Sequence, residues 1–304
     1  MNKSNAQSII FFGTGQTRLD ALKVLSEKFT IEAVITKPDT TVHNKAQPTT
    51  VAAWARTNAI SVYKPANKTE LSALVAEKKF RANIGVVLDY GVIIPADVID
   101  SFEHGIVNSH FSLLPAWRGA DPIRAAVLHG DSVTGVTIML IVPELDAGPI
   151  LSWGKVALTD ATTAIELRAE LSELNCALLP ETIQLYLDGS IEPIAQDTES
   201  ATLTTKTRKE DGLLNPSLTA HELIRQINAY LGWPKSYFEV NGNLMVITKA
   251  KASDYSTDPG TLSTHNGKLY FGCNGGSLEI QEIQPAGKKP MDAQSFINGY
   301  KNLL

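Results

Sequence analysis

Six short runs of apolar and β-branched residues, separated by helical stretches, fill the chain from residue 7 to about 153. No other feature constrains the fold as strongly. SIIFFG, IEAVIT, ISVY, ANIGVVL, GIVNSH and VTIMLIV read as strands, and TRLDALKVLSEK, TVAAWARTNA, ELSALVAEKK and PIRAAVLHG read as helices between them. The runs are almost continuously apolar instead of alternating with polar residues. Such strands are covered on both faces, which predicts an α/β fold with a mainly parallel, doubly wound sheet. Asp121 at the N-cap position, Pro122 at the first helical position and Gly130 just past the end delimit the last of these helices. A long helix is expected from about 162 to 187, with Pro180 as its kink site.

The pattern changes after residue 188. Gly189 to Thr205, rich in Thr, Ser, Asp and Glu, reads as a linker. One helix follows (SLTAHELIRQINAYL), and then short strands dominate: SYFEV, LMVITKA, GTLS, KLYFGC and SLEIQEI, punctuated by NG, PG, NG and GG turns. That spacing predicts a small barrel-like β domain closed by a helix from about Asp292. A chain of 304 residues accommodates this organisation, with one domain over 1–188, a linker over 189–205 and a second domain over 206–304.

Several function classes fall away on composition. The two cysteines, Cys176 and Cys273, lie far apart and outside any CxxC pattern, and the six histidines show no HExxH spacing; no disulfide framework and no metal site are expected. The first apolar run is four residues, too short for a signal-peptide core, and Asp89 interrupts VVLDYGVII, so the expected location is cytoplasmic. GTGQTR after the first strand holds G-x-G, but Arg18 stands where the third glycine of a dinucleotide loop belongs, and Asp39 falls in the loop beyond Pro38 instead of ending the second strand. A nicotinamide enzyme is therefore the weakest reading. Residues 205–304 carry 11 Lys and Arg against 9 Asp and Glu while the whole chain has a net charge of −5, a mild basic excess compatible with a polyanion or with an ordinary solvated surface.

The chemistry-bearing constellation is Asn108 and His110, two residues apart and so on one strand face, together with the later carboxylate Asp146 in LDAGP. An amide N–H and an imidazole N–H can stabilise an oxyanion while a carboxylate orients the imidazole, which suits acyl transfer. The same residues, taken alone, also fit a polar turn at a strand end. Ser112 is not in a G-x-S-x-G elbow, Cys176 lies within a helix and Cys273 in the barrel. With no nucleophile in view the acyl acceptor must come from the substrate, and an amine would fit.

NSHFSLLPAWRGADPIRAAVLHGD followed by TGVTIMLIVPELDAGPIL strongly resembles the 10-formyltetrahydrofolate-dependent formyltransferases. The resemblance implies a Rossmann-like formyl-transfer domain, Asn108, His110 and Asp146 as the catalytic set, and Ser112, Leu113, Leu114 and Pro115 as the segment that helps hold the folate. No metal is implied. INAYLGWPKSYFEVNG, PGTL and LEIQEIQPAGKKPMDAQSFINGY are similar to the OB-type domain of the members that act on methionyl-tRNA, so the resemblance runs from about residue 8 to 300. It implies 10-formyltetrahydrofolate as donor, initiator methionyl-tRNA as acceptor, Lys288 and Lys289 as first candidates for tRNA phosphates, and a monomer. An amino-sugar or other small amine is the alternative acceptor, and a nucleic-acid-binding protein with a relic folate fold is a third reading. Departures from the family pattern are Gly15 in GTGQTRL, Asp89 in VVLDYG, Arg124 in PIR, and a loop after the second strand with only Lys37 and Lys45 where relatives carry several basic residues.

Overall fold

The computed structural model of the chain describes residues 7–15, 17–42 and 45–304. His43, Gln16 of the GTGQTR loop, and the side chains of Arg18 and Lys45 lie outside what it describes. The first half runs β1 (Ser8–Gly13), α1 (Thr17–Lys28), β2 (Thr30–Ile35), β3 (Thr40–Val42), β4 (Lys45–Gln47), α2 (Thr50–Thr57), β5 (Ser61–Tyr63), α3 (Lys68–Lys78), β6 (Gly85–Leu88), α4 (Ala96–Ile99), β7 (Ile106–His110) and β8 (Arg118–Gly119). It continues with α5 (Pro122–His129), β9 (Val133–Leu140), β10 (Ile150–Ala157), α6 (Ala164–Leu187) and β11 (Leu203–Thr204). The remainder is α7 (Ala220–Tyr230), β12 (Ser236–Val240), β13 (Asn243–Ser253), β14 (Leu262–His265), β15 (Lys268–Cys273), β16 (Gly276–Pro285), β17 (Met291–Asp292) and α8 (Ala293–Gly299).

Packing groups these elements into two compact units. One comprises residues 1–118, 135–155 and 170–203; the other comprises 119–134, 156–169 and 204–304.

The first unit is built on a seven-stranded sheet in the order β10-β9-β7-β6-β1-β2-β5. β1 pairs in parallel with β2 and β6, β6 with β7, and β2 with β5, whereas β7 and β9 run antiparallel. The mainly parallel sheet is thus as expected, with one reversed strand toward its edge. Ile9, Ile10, Phe11 and Phe12 of β1 have no exposed surface, as a central strand covered on both faces requires. Phe12 meets Tyr90 and Phe102 edge-on, with ring centroids 5.8 and 6.2 Å apart. Strand order reverses beside β1: the chain moves from β1 to β2 and β5 on one side, then returns to β6 and β7 on the other. In open α/β sheets the crevice above such a reversal is where ligands bind.

The second unit has an antiparallel sheet in the order β12-β13-β16-β15-β14, with β17 added on β16. This is the antiparallel β domain expected from the turn spacing. Its core joins Phe238, Phe271, Leu278 and Ile280 with Leu223 and Ile227 of α7. A reciprocal cap starts α7, in which Thr219 Oγ1 accepts from Glu222 N and the Glu222 carboxylate accepts from Thr219 N. α5 packs on α7 within this unit.

Asp121 does stand at the N-cap of α5, followed by Pro122, and Gly130 closes the helix in the left-handed region at φ 77°. The Asp121 side chain, however, makes no capping hydrogen bond. Both its oxygens are engaged by Arg124 Nη1, at 2.9 and 3.0 Å, and Arg124 also donates to the Trp233 carbonyl at 3.0 Å. The arginine that departs from the family pattern is therefore held within the second unit. α6 continues as α-helix through Pro180. The 189–205 segment is tied down: Ile194 and Ile150 exchange backbone hydrogen bonds of 2.7 and 2.8 Å.

Candidate active site

β7 carries the first two candidate residues because its side chains alternate across the sheet. Ser109 points to the face covered by α6, where its hydroxyl donates to the buried Asn175 Oδ1 at 2.5 Å. Asn108 and His110 consequently share the opposite face. The Asn108 carboxamide has no hydrogen-bond partner among the described residues, which leaves its N–H groups open to an incoming oxygen. His110 is 7% exposed. Its Nε2 lies 2.8 Å from the Trp117 carbonyl oxygen, a pure acceptor, so Nε2 carries the proton and donates. Nδ1 faces Asp146 Oδ2 at 3.6 Å.

Asp146 reaches His110 by an unexpected path. Were β9 parallel to its neighbours, its carboxyl end would sit beside that of β7. Instead Asn108 pairs with Met139 and His110 with Thr137, so β9 ends level with the start of β7. The following loop doubles back. Its base is closed by Leu140 N donating to the Pro149 carbonyl at 2.9 Å, and Asp146 adopts a left-handed backbone at φ 48° within it. A non-glycine residue in that conformation costs about 1–2 kcal/mol, so the surrounding loop must hold it there.

The Ser112–Pro115 segment leaves β7 immediately after His110. Ser112 is fully buried; its hydroxyl donates to the Ala116 carbonyl at 2.6 Å and its own carbonyl accepts from Thr137 Oγ1 at 2.7 Å. Leu114 N donates to the same Thr137 oxygen at 3.0 Å, and its side chain packs with Met139 and Ile150. Leu113 and Pro115 are partly exposed. The inward pair fixes the loop, and the outward pair is available to a ligand.

The ends of β1 and β6 border the crevice on the other side. Val87 pairs with Asn108 and Gly13 with Leu88, so the turns after β1 and β6 stand beside the Asn108 position in the sheet. Thr14 Oγ1 donates to the Tyr90 carbonyl at 3.1 Å, and a side chain added at Gly15 would meet the Asp89 carboxylate at 4.0 Å. Asp89 itself is left-handed at φ 50°. Burial pushes the Tyr90 phenol up to about 12, so it stays neutral in ordinary buffers. Asp39 is paired with Lys64 and leaves no carboxylate ending β2 for a ribose. Burial also raises both cysteine thiols, with Asp20 and Glu173 adding to the effect at Cys176, so neither is a poised thiolate.

Sequence reasoning missed the residues that hold this arrangement together. Gln196 Nε2 donates to the Asp146 and Gly148 carbonyls at 2.8 and 2.7 Å, and Gln196 Oε1 accepts from Arg118 Nε and Nη2 at 3.0 and 2.8 Å. Thr202 Oγ1 accepts from Trp117 N at 2.8 Å, and its carbonyl accepts from Arg118 N at 2.9 Å. Nothing in the composition of the 189–205 stretch distinguishes these two residues from the polar residues around them.

Comparison with known proteins places the whole chain. The family described as "Formyl transferase" matches residues 7–183, and "Formyl transferase, C-terminal domain" matches residues 206–301. A methionyl-tRNA formyltransferase of Myxococcus xanthus is 33% identical over 299 residues, covering 96% of this chain and 95% of the relative. One of Nitratidesulfovibrio vulgaris strain DP4 is 35% identical over 313 residues, covering 99% and 95%. Among solved structures, the N-formyltransferase of Helicobacter canadensis in complex with folinic acid and dTDP-3-aminofucose superposes with a TM-score of 0.69 at 19% identity, covering 90% of this chain and 98% of that one. The sugar 3N-formyltransferase WlaRD gives a TM-score of 0.70 at 17% identity, covering 94% and 100%. At those identities the structural likeness speaks for the fold alone.

Proposed function

Because this chain belongs to the formyl transferase family over both of that family's domains and transfers a formyl group to methionyl-tRNA, we propose that Asn108, His110 and Asp146 carry the reaction, with 10-formyltetrahydrofolate as donor and the α-amine of initiator methionyl-tRNA as acceptor. The observation that carries the reading is the His110 ring, held between the Trp117 carbonyl and the Asp146 carboxylate on the strand face it shares with Asn108.

The side chains then divide the work. Asn108 donates an N–H to the formyl oxygen as it becomes an oxyanion. His110 Nδ1, which faces Asp146 Oδ2, accepts the proton released when the amine bonds to the formyl carbon. The imidazolium so formed is balanced by the Asp146 carboxylate and adds positive charge beside the oxyanion. The same Nδ1 proton is returned to the leaving nitrogen of the donor as the carbon–nitrogen bond breaks. No covalent enzyme intermediate is formed. Leu113 and Pro115 line the folate, on a loop whose shape Ser112 and Leu114 maintain. Functionally, residues 1–188 form the formyl-transfer part, 189–205 the connection and 206–304 the tRNA-binding part, and the protein acts as a cytoplasmic monomer. Among the described residues no helix is long and apolar enough to cross a membrane.

The test is product formation from 10-formyltetrahydrofolate with initiator methionyl-tRNA, elongator methionyl-tRNA and a nucleotide-linked amino-sugar in parallel. Fast, initiator-selective N-formylmethionyl product is expected. Formylation of the amino-sugar with none of methionyl-tRNA would overturn the assigned acceptor.

Lys288 and Lys289 are both exposed in the turn between β16 and β17, where Lys288 N donates to the Pro285 carbonyl and Gln284 donates to the Lys288 carbonyl. With the turn fixed by its backbone, the side chains are dispensable for folding. Their joint replacement by alanine is expected to raise KM for tRNA at unchanged kcat. The plot of log affinity against log salt should lose about 1 unit of slope per phosphate contact removed. A salt dependence identical to the parent protein would show that these lysines face no phosphate.

A further inference from the structure

We infer that Gln196, in the segment connecting the two parts of the chain, is a positioning residue for formyl transfer. This rests on the reading of His110 and Asp146 given above. The two N–H bonds of its carboxamide are matched to two backbone carbonyls, those of Asp146 and Gly148, and its single oxygen receives both Nε and Nη2 of Arg118. Reversing the amide would set oxygen against two carbonyls and NH2 against a guanidinium, so the hydrogen bonds fix its orientation.

The contacts close into a ring. His110 Nε2 donates to the Trp117 carbonyl; Trp117 is bonded to Arg118; Arg118 grips Gln196; Gln196 holds the Asp146 backbone; and Asp146 Oδ2 returns to His110 Nδ1. Gln196 therefore fixes the separation of the two oxygens that flank the imidazole. Asp146 and Trp117 both have left-handed backbones, at φ 48° and 60°, and the His110–Asp146 distance of 3.6 Å leaves a gap that a small loop movement widens or closes. Arg118, only 8% exposed, and the Thr202 bonds to Trp117 N and Arg118 N brace the other end. Gln196 bonds to the backbone of the Asp146 loop and to Arg118, and not to the His110 ring or the Asp146 carboxylate. It acts through the loop.

The experiment compares Gln196→Glu and Gln196→Ala in the full-length protein. Glutamate keeps an oxygen for Arg118 but presents no N–H to the two carbonyls, so it separates the loop-holding half of the contact from the arginine half. Each variant is expected to lower kcat about 10- to 100-fold, as a displacement on the order of 1 Å at a reacting group does. KM for tRNA and folate should stay within about threefold, the pattern of an interaction that matters only in the transition state. In an Asp146→Asn background the Gln196 substitutions should add no further loss, because the carboxylate they position is already gone.

Wild-type kcat in Gln196→Glu would overturn the inference. So would a full additional loss in the Asp146→Asn background, or a loss of activity that tracks the unfolded fraction in a thermal melt. If Asp146→Asn alone keeps wild-type turnover, the catalytic reading has failed and takes this inference with it. If Asp146→Asn is inactive and Gln196→Glu is not, only the positioning role falls.

Discussion

His110→Ala and Asp146→Asn are each expected to lower turnover with methionyl-tRNA by about two to four orders of magnitude, the usual contribution of a positioned general acid–base group. Asp146→Asn is the cleaner of the two. It keeps side-chain volume and leaves the backbone carbonyl in place for Gln196 while removing the carboxylate charge that faces Nδ1. His110→Ala also removes the hydrogen bond to the Trp117 carbonyl, and the loss of one such bond costs about 0.5–1.5 kcal/mol of stability. Melting curves must therefore accompany the rates. Asn108→Ala should cost about 10²–10³ in kcat, the value of one oxyanion donor, with little change in stability because its carboxamide bonds to nothing else among the described residues. The three losses should not add, since the residues serve one proton transfer and one charge. Rates near the parent value in both His110→Ala and Asp146→Asn would show that the trio is a structural polar cluster.

Much of this is legible in the sequence. Continuous apolar strands such as SIIFFG could only be central and covered, and β1 is. The alternation of Asn108, Ser109 and His110 across β7 follows from strand geometry alone, which is why the amide and the imidazole could be assigned to one face. Three things were not legible. The reversal of β9 was hidden because a buried antiparallel strand reads the same as a parallel one when its neighbours cover both faces; the direction shows only in the pairing of Asn108 with Met139. The Asp121 side chain was expected to cap α5, but a guanidinium one turn on competes for the same oxygens and wins both. Gln196 was invisible because a hydrogen-bonded strap needs only one well-placed amide, and one amide does not change the polar, linker-like composition of its segment. What sequence patterning conveys is burial and periodicity. What it omits are the isolated polar contacts of long sequence separation, such as the 78 residues between Arg118 and Gln196, and those contacts set the geometry of the site.

Gly148→Ala should be among the most damaging single-methyl additions to the first unit. A Cβ at this position would overlap the Leu140 carbonyl oxygen, a backbone atom at the base of the Asp146 loop that cannot rotate aside. Leu140 is itself held there, since its N–H donates to Pro149. Relief requires the loop to lift from β9, and that movement also withdraws the Gly148 carbonyl from Gln196 and carries Asp146 away from His110. A cost above about 4 kcal/mol is expected, in the class of overpacking with no side chain to yield. In a chain of this size that amounts to a fall in Tm of roughly 10 °C. Gly299→Ala provides the control. It lies at the end of α8 with no atom within 4 Å of its added methyl group and no positive φ, so the change should be neutral or stabilising by up to about 1 kcal/mol. The informative measurement is turnover per folded molecule at a temperature where Gly148→Ala is still native. A loss there of the size expected for Gln196→Glu would show that the loop acts as a lever on the Asp146 carboxylate. A parent-like melting temperature would show instead that the loop yields without resistance, and that Gly148 is not what holds Asp146 against His110.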